Sequence, residues 1–82
     1  MHNQKDFETL VTTIVKAIVD EEDAVRVSVV EGRTTVLIEL NVSVRDKGKV
    51  IGKDGNMAWA LRTIVTNVAT RLHKKAVLHI ID

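Results

Sequence analysis

The hydrophobic residues of this chain change period three times within 82 positions, and that succession restricts the fold more than any composition figure does. Between residues 5 and 19, Phe7, Leu10, Val11, Ile14, Val15 and Ile18 recur at helical spacing, with Glu8, Thr9, Thr12, Thr13 and Lys16 between them. This spacing predicts an amphipathic helix with one buried stripe. It should end near Asp20-Glu21-Glu22-Asp23, because acidic side chains are unfavourable beside the negative end of a helix dipole. Period two follows over residues 24–44. Val25, Val27 and Val29 share one face; beyond a turn at Gly32, so do Val36, Ile38, Leu40, Val42 and Val44. Arg26, Ser28, Glu39, Asn41 and Ser43 take the other face, so the segment reads as a β-hairpin with one covered and one mostly wet face.

Residues 45–51, RDKGKVI, are one or two helical turns, broken by the GKDG that follows. From Asn56 to about His73 the helical period returns, with Met57, Leu61, Ile64, Val65, Val68 and Leu72 as the buried stripe. The closing KAVLHIID is rich in β-branched residues and reads as a last strand. The order α-β-β-α-α-β predicts a two-layer α+β domain, a three-stranded sheet with helices packed on one face, spanning residues 1–82.

Composition narrows the chemistry. A chain this short forms one core, without depth for a buried substrate cavity. Phe7 and Trp59 are the only aromatics, so the core is aliphatic, and the absence of cysteine excludes disulfides and thiolate metal sites. No apolar run approaches the roughly 20 residues that span a bilayer, and the opening MHNQKDFE lacks a signal-like apolar stretch, so a cytoplasmic location is expected. The net charge of +1 is unevenly spread. Residues 1–31 hold three basic against seven acidic residues; residues 32–82 hold nine against four. Arg45, Lys47, Lys49, Lys53 and Arg62 cluster around the glycines, which fits either an anionic partner there or a solvated surface. The four consecutive acids lack the spaced oxygen ligands of a calcium loop and read as a connector. His2, His73 and His79 fall on different segments, and no nucleophile–base set or carboxylate pair can be assembled, so neither an enzyme nor a metal or other cofactor is implied.

Three of the four glycines crowd into residues 48–55, GKVIGKDG, directly before a helix. A P-loop needs four residues between its glycines and a hydroxyl after the lysine; here three intervene and Asp54 follows Lys53. A simple turn explains Gly55 after Asp54 but not Gly52. A third reading fits both. G-x-x-G brings bare backbone and a helix N-terminus to a nucleic-acid phosphate, with Lys53 as a mobile cation.

GKVIGKDGNMAWALRTIV, preceded by a helix and hairpin and followed by a strand, resembles a KH domain of the type II (prokaryotic) topology, over essentially the whole chain. The resemblance is to small bacterial proteins made of one KH domain. It implies a non-catalytic protein that holds short single-stranded RNA along a loop at Gly52, Lys53, Asp54 and Gly55. Val50 and Ile51 would line one side of the adjacent groove, with Ile38 and Leu40 either at its base or in the core. Lys49 and Arg62 become flanking phosphate contacts or else ordinary helix charges. Asp54 either faces the ligand and weakens it or turns away to cap the next helix. The resemblance further implies an RNA chaperone or post-transcriptional regulator, self-association or pairing with a larger KH-containing protein, and a part in cell elongation and envelope homeostasis. The alternative is a protein-interaction module with residual RNA binding. Trp59 bears on the choice. Its helical neighbours Arg62, Thr63, Thr66 and Thr70 are polar, so it stacks on a base, anchors a partner or covers the domain edge.

Overall fold

The computed structural model describes residues 4–81, so His2 and Asp82 lie outside the described residues. Helix α1 (Gln4–Lys16) buries Phe7, Val11 and Val15 at successive i, i+4 positions and lies on the hairpin. It stops earlier than its apolar spacing suggests: a turn follows in which Ile18 N–H and Val19 N–H both donate to Val15 O. The turn tucks Val19 into the core and carries the acidic residues out.

Strands β1 (Arg26–Glu31) and β2 (Thr35–Asn41) pair antiparallel, with Val27 opposite Leu40 and Val29 opposite Ile38. Strand β3 (Lys75–Ile80) adds parallel to β2, giving the order β1-β2-β3. Between β2 and β3 run helix α2 (Lys47–Ile51) and helix α3 (Asn56–Arg71). The α+β order expected from the sequence is therefore present. Val36, Ile38 and Leu40 on the covered face meet Phe7, Val11 and Val15 from α1 and Leu61, Val65 and Ala69 from α3 in one core.

Two residues expected in the core are exposed instead. Val44 is 81% exposed, because β2 ends at Asn41 and Ser43 starts a one-turn 3-10 helix (Val44–Asp46) that breaks the alternation. Ile64 is 40% exposed. The row that α3 buries is Ala58, Leu61, Val65 and Ala69, and Ile64 lies about 60° around the helix from Leu61. On the open sheet face Val30, Leu37 and Val77 stand beside one another as cross-strand neighbours, all exposed.

One buried carboxylate ties the layers together. Asp46 is almost fully enclosed and accepts hydrogen bonds from Asp20 N–H (3.1 Å) and Glu21 N–H (3.0 Å). The α1–β1 connector is thus fastened to the start of α2 across more than twenty residues of sequence. The Glu21 amide holds the Asp46 carboxyl below its ordinary 3.8; burial opposes this, and the Asp20 amide, Lys49 and Arg45 reinforce it. A depressed native value contributes stability above the unfolded value, and this is lost as pH falls through the native one. Asp46→Asn should therefore be less stable than wild type at neutral pH, with the gap closing below 3.8. Urea midpoints measured from neutral pH to about pH 3 check this, and a gap independent of pH would contradict it.

Candidate functional site

Helix α2 ends at Gly52, whose N–H donates to Gly48 O at 2.9 Å. The chain then makes one 3-10 turn (Lys53–Gly55) and enters α3 without a side-chain cap. The two loop glycines serve different ends. Gly52 has φ 78° and ψ 172°, a region essentially restricted to glycine. A Cβ there would stand 2.7 Å from both Met57 N and Met57 Cβ. Its bareness lets the loop pack against the first turn of α3. Gly55 has φ 78° and ψ 10°, and a Cβ there would meet nothing within 4 Å. Its bareness faces open space, where a ligand backbone could approach.

Lys53 and Asp54 are exposed, and among the described residues the side chain of neither has a hydrogen-bond or ion-pair partner. Asp54 adopts a left-handed conformation (φ 57°, ψ 24°), tolerable for a short polar side chain. It does not cap α3: Gly55 holds the cap position and no side chain bonds there.

The other expected contacts divide. Val50, Ile38 and Leu40 are fully buried in the core, so they form neither wall nor base of a groove. Val50 lies on the inner side of the short α2, and Ile38 and Leu40 lie on the covered sheet face. Ile51 is 43% exposed beside the loop. It continues an outward strip that the sequence reading did not identify: Val44, Gly48 and Ile51, spaced i, i+4, i+7. Gly48 has open space at its Cβ and no positive φ, so the monomer gives no reason for glycine there.

Two of the flanking cations are engaged. Lys49 pairs with Asp20 and lies 3.8 Å from Asp46 Oδ1. Arg62 donates from Nε to Leu78 O at 3.3 Å. Lys75 N–H and Ile81 N–H face β2, so Leu78 O points to the outer edge of β3, and Arg62 covers that edge. Trp59, one helical turn beyond Gly55, is 68% exposed, which removes the edge-packing alternative. Thr63 and Thr70 donate their hydroxyls to Trp59 O and Thr66 O, leaving a stripe on α3 whose polar groups are partly satisfied internally.

Among the described residues no three His, Cys, Asp or Glu side chains are grouped to hold a metal ion, and no helix is long and apolar enough to cross a membrane. The surface depression lined by Lys16 and residues 20–24 includes no residue of the glycine loop.

The family model described as KhpA/KhpB, KH domain, matches residues 8–80, which include both glycines of the loop and the whole sheet. This chain belongs to the KhpA/KhpB KH-domain family. It is 47% identical over 72 residues to the RNA-binding protein KhpA of Caldanaerobacter subterraneus subsp. tengcongensis, covering 88% of this chain and 96% of that one. It is 47% identical over 73 residues to the RNA-binding protein KhpA of Aquifex aeolicus (89% and 92% covered). Against the RNA-binding protein KhpA of Borreliella burgdorferi the identity is 41% over 73 residues (89% of each). No solved structure gives a significant match. Within the matched residues the 52–55 loop holds two glycines in different surroundings, Gly52 against Met57 and Gly55 toward open space.

The three glycines should accordingly rank in denaturant unfolding. Gly48→Ala is expected to stabilise by about 0.5–1 kcal/mol, since helical alanine outperforms glycine and the space is open. Gly55→Ala should lose about 1 kcal/mol for its left-handed conformation. Gly52→Ala should lose most, about 2–3 kcal/mol, from conformation and collision together. Any other order would refute the division of roles.

Proposed function

We propose that this protein binds single-stranded RNA, with the sugar–phosphate backbone lying against Gly52, Lys53, Asp54 and Gly55. The observation that carries the reading is Gly55, bare toward open space beside an unpartnered Lys53 at the uncapped start of a 16-residue helix. First-turn amides and the positive end of the dipole favour an anion there, and Lys53 adds a full charge. Ile51 supplies apolar surface beside the loop, and Val44 and Gly48 extend it along α2. Membership of a family whose relatives are called RNA-binding proteins supports the same reading. With one free cation in the loop and Asp54 beside it, binding is weak and electrostatic. Each phosphate neutralised on a single strand contributes about −0.7 to the slope of log K against log salt.

The cellular part of the proposal comes from the family: a cytoplasmic RNA chaperone or post-transcriptional regulator linked to cell elongation and envelope homeostasis. Anisotropy titration of a labelled single-stranded RNA, at low and moderate salt, tests the molecular part. Lys53→Asp is expected to weaken binding at least tenfold at low salt; equal binding by wild type and variant would eliminate the clamp.

A second reading rests on Trp59, a large aromatic on a helix face bordered by threonines. We propose that this face pairs two copies, or one copy with a larger KH protein of the KhpB type. Antiparallel packing of two α3 helices would set Trp59 of one copy toward the threonine-lined face of the other, which holds Thr66 and Thr70. Truncating such an anchor typically costs at least about 2 kcal/mol of association. Sedimentation should show a wild-type dimer whose dissociation constant rises more than tenfold in Trp59→Ala; a wild-type monomer would dispose of self-pairing.

A further inference from the structure

Lys49 stands one helical turn before the glycine loop, at i−3 from Gly52 and i−4 from Lys53, where a cation would serve a passing polynucleotide. Its ammonium is instead bonded to the Asp20 carboxylate, with Asp46 Oδ1 at 3.8 Å. Asp20 is 78% exposed, so no packing of its own side chain holds it there. Its position is set through the backbone, because Asp46 binds the amides of Asp20 and Glu21. The Ser43 hydroxyl donates to the Glu21 carboxylate, adding a second fastening between the same two segments. These fastenings hold the connector beside the start of α2 and set the Asp20 carboxylate on Lys49.

Resting on the RNA-binding reading above, we infer that Asp20 is an intramolecular stand-in for a phosphate: it occupies Lys49 and keeps that cation out of the RNA site. Exposed ion pairs of this kind are weak, and salt screens them. The pair is therefore exchangeable, and RNA must displace the carboxylate to gain the contact. The hydrogen bond that Lys49 donates to Asp20 also holds the ammonium above its ordinary 10.5; desolvation opposes this, and the Asp20 and Asp46 charges add to it. Lys49 is thus charged but already neutralised. The affinity of the loop is set below what its cations allow, and the footprint stops short of Lys49.

The test compares wild type, Asp20→Asn, Asp23→Asn, Lys49→Gln and Asp20→Asn/Lys49→Gln, titrated with a fluorescein-labelled single-stranded oligouridine across a salt series. Asp23→Asn removes the same charge from the same connector without touching Lys49. Asp20→Asn is expected to tighten binding about three- to fivefold at low salt and to steepen the log–log salt slope by about 0.7, one phosphate's worth. Asp23→Asn should give a smaller gain at unchanged slope, and the double variant should lose the gain of Asp20→Asn. In a titration of the lysine side chains by NMR without RNA, the Lys49 value should fall in Asp20→Asn. Equal effects of Asp20→Asn and Asp23→Asn, weaker binding by Asp20→Asn, or an unmoved Lys49 titration would each overturn the proposal alone. Absence of RNA binding by every variant, with the Lys49 titration shifted as expected, would overturn the RNA reading and this proposal together.

Discussion

The parallel pairing of β2 with β3 is the constraint on which the rest of this molecule depends. An antiparallel neighbour can be reached through a tight turn, whereas a parallel one requires the chain to cross over the sheet. Residues 42–74 make that crossing, and they do so as two helices rather than one. Two helices within one crossover need an abrupt junction, and the junction is the glycine loop. Gly52 makes it possible by allowing the start of α3 to approach within a distance that any Cβ would forbid. The feature that gives the loop its bare outer surface is therefore a consequence of closing the fold, with Gly55 as the part the fold leaves open.

The electrostatics of the site follow from the same crossover. Because α2 begins beside the end of β2, its first residues meet the connector between α1 and β1, and Asp46 fastens the two. A buried carboxylate is unfavourable unless its oxygens are satisfied; here two amides and a nearby ammonium satisfy them. The arrangement that holds the domain together thus also carries an acidic segment against α2. Of the cations around the loop, Lys49 is engaged by that segment and Arg62 by the edge of β3. Lys53 is left in the loop with an exposed carboxylate as its sequence neighbour. Under the proposed RNA-binding reading, the loop would hold a ligand backbone weakly, tuned by which of these charges are already partnered.

Much of the architecture was legible along the chain. The changes of apolar period located every helix and strand within a few residues, and G-x-x-G between two helical segments located the loop. The polar neighbours of Trp59 placed it on the outer face. The errors share one cause. Val44 and Ile64 continue an apolar pattern by spacing but leave the core because a strand ends early or a helix presents smaller residues inward. Ala58 and Ala69, which do face inward, carry little hydrophobic signal despite admitting close packing. Val50, Ile38 and Leu40 were indistinguishable from groove residues until their neighbours across the sheet were known.

By itself the sequence determined the order of elements, the aliphatic core, the absence of cysteine chemistry and the position of a backbone-exposing loop. These depend on local periodicity and on which side chains exist at all. Tertiary structure alone decided which glycine faces inward, which cations remain available, and that Asp46 reaches back across the domain instead of capping its own helix. Those outcomes rest on contacts that apolar spacing does not reveal: Gly52 against Met57, Arg62 on Leu78 O, and Asp46 and Lys49 on a connector more than twenty residues back. Burial and charge pairing are properties of what surrounds a side chain, and no reading along the chain supplies the surroundings.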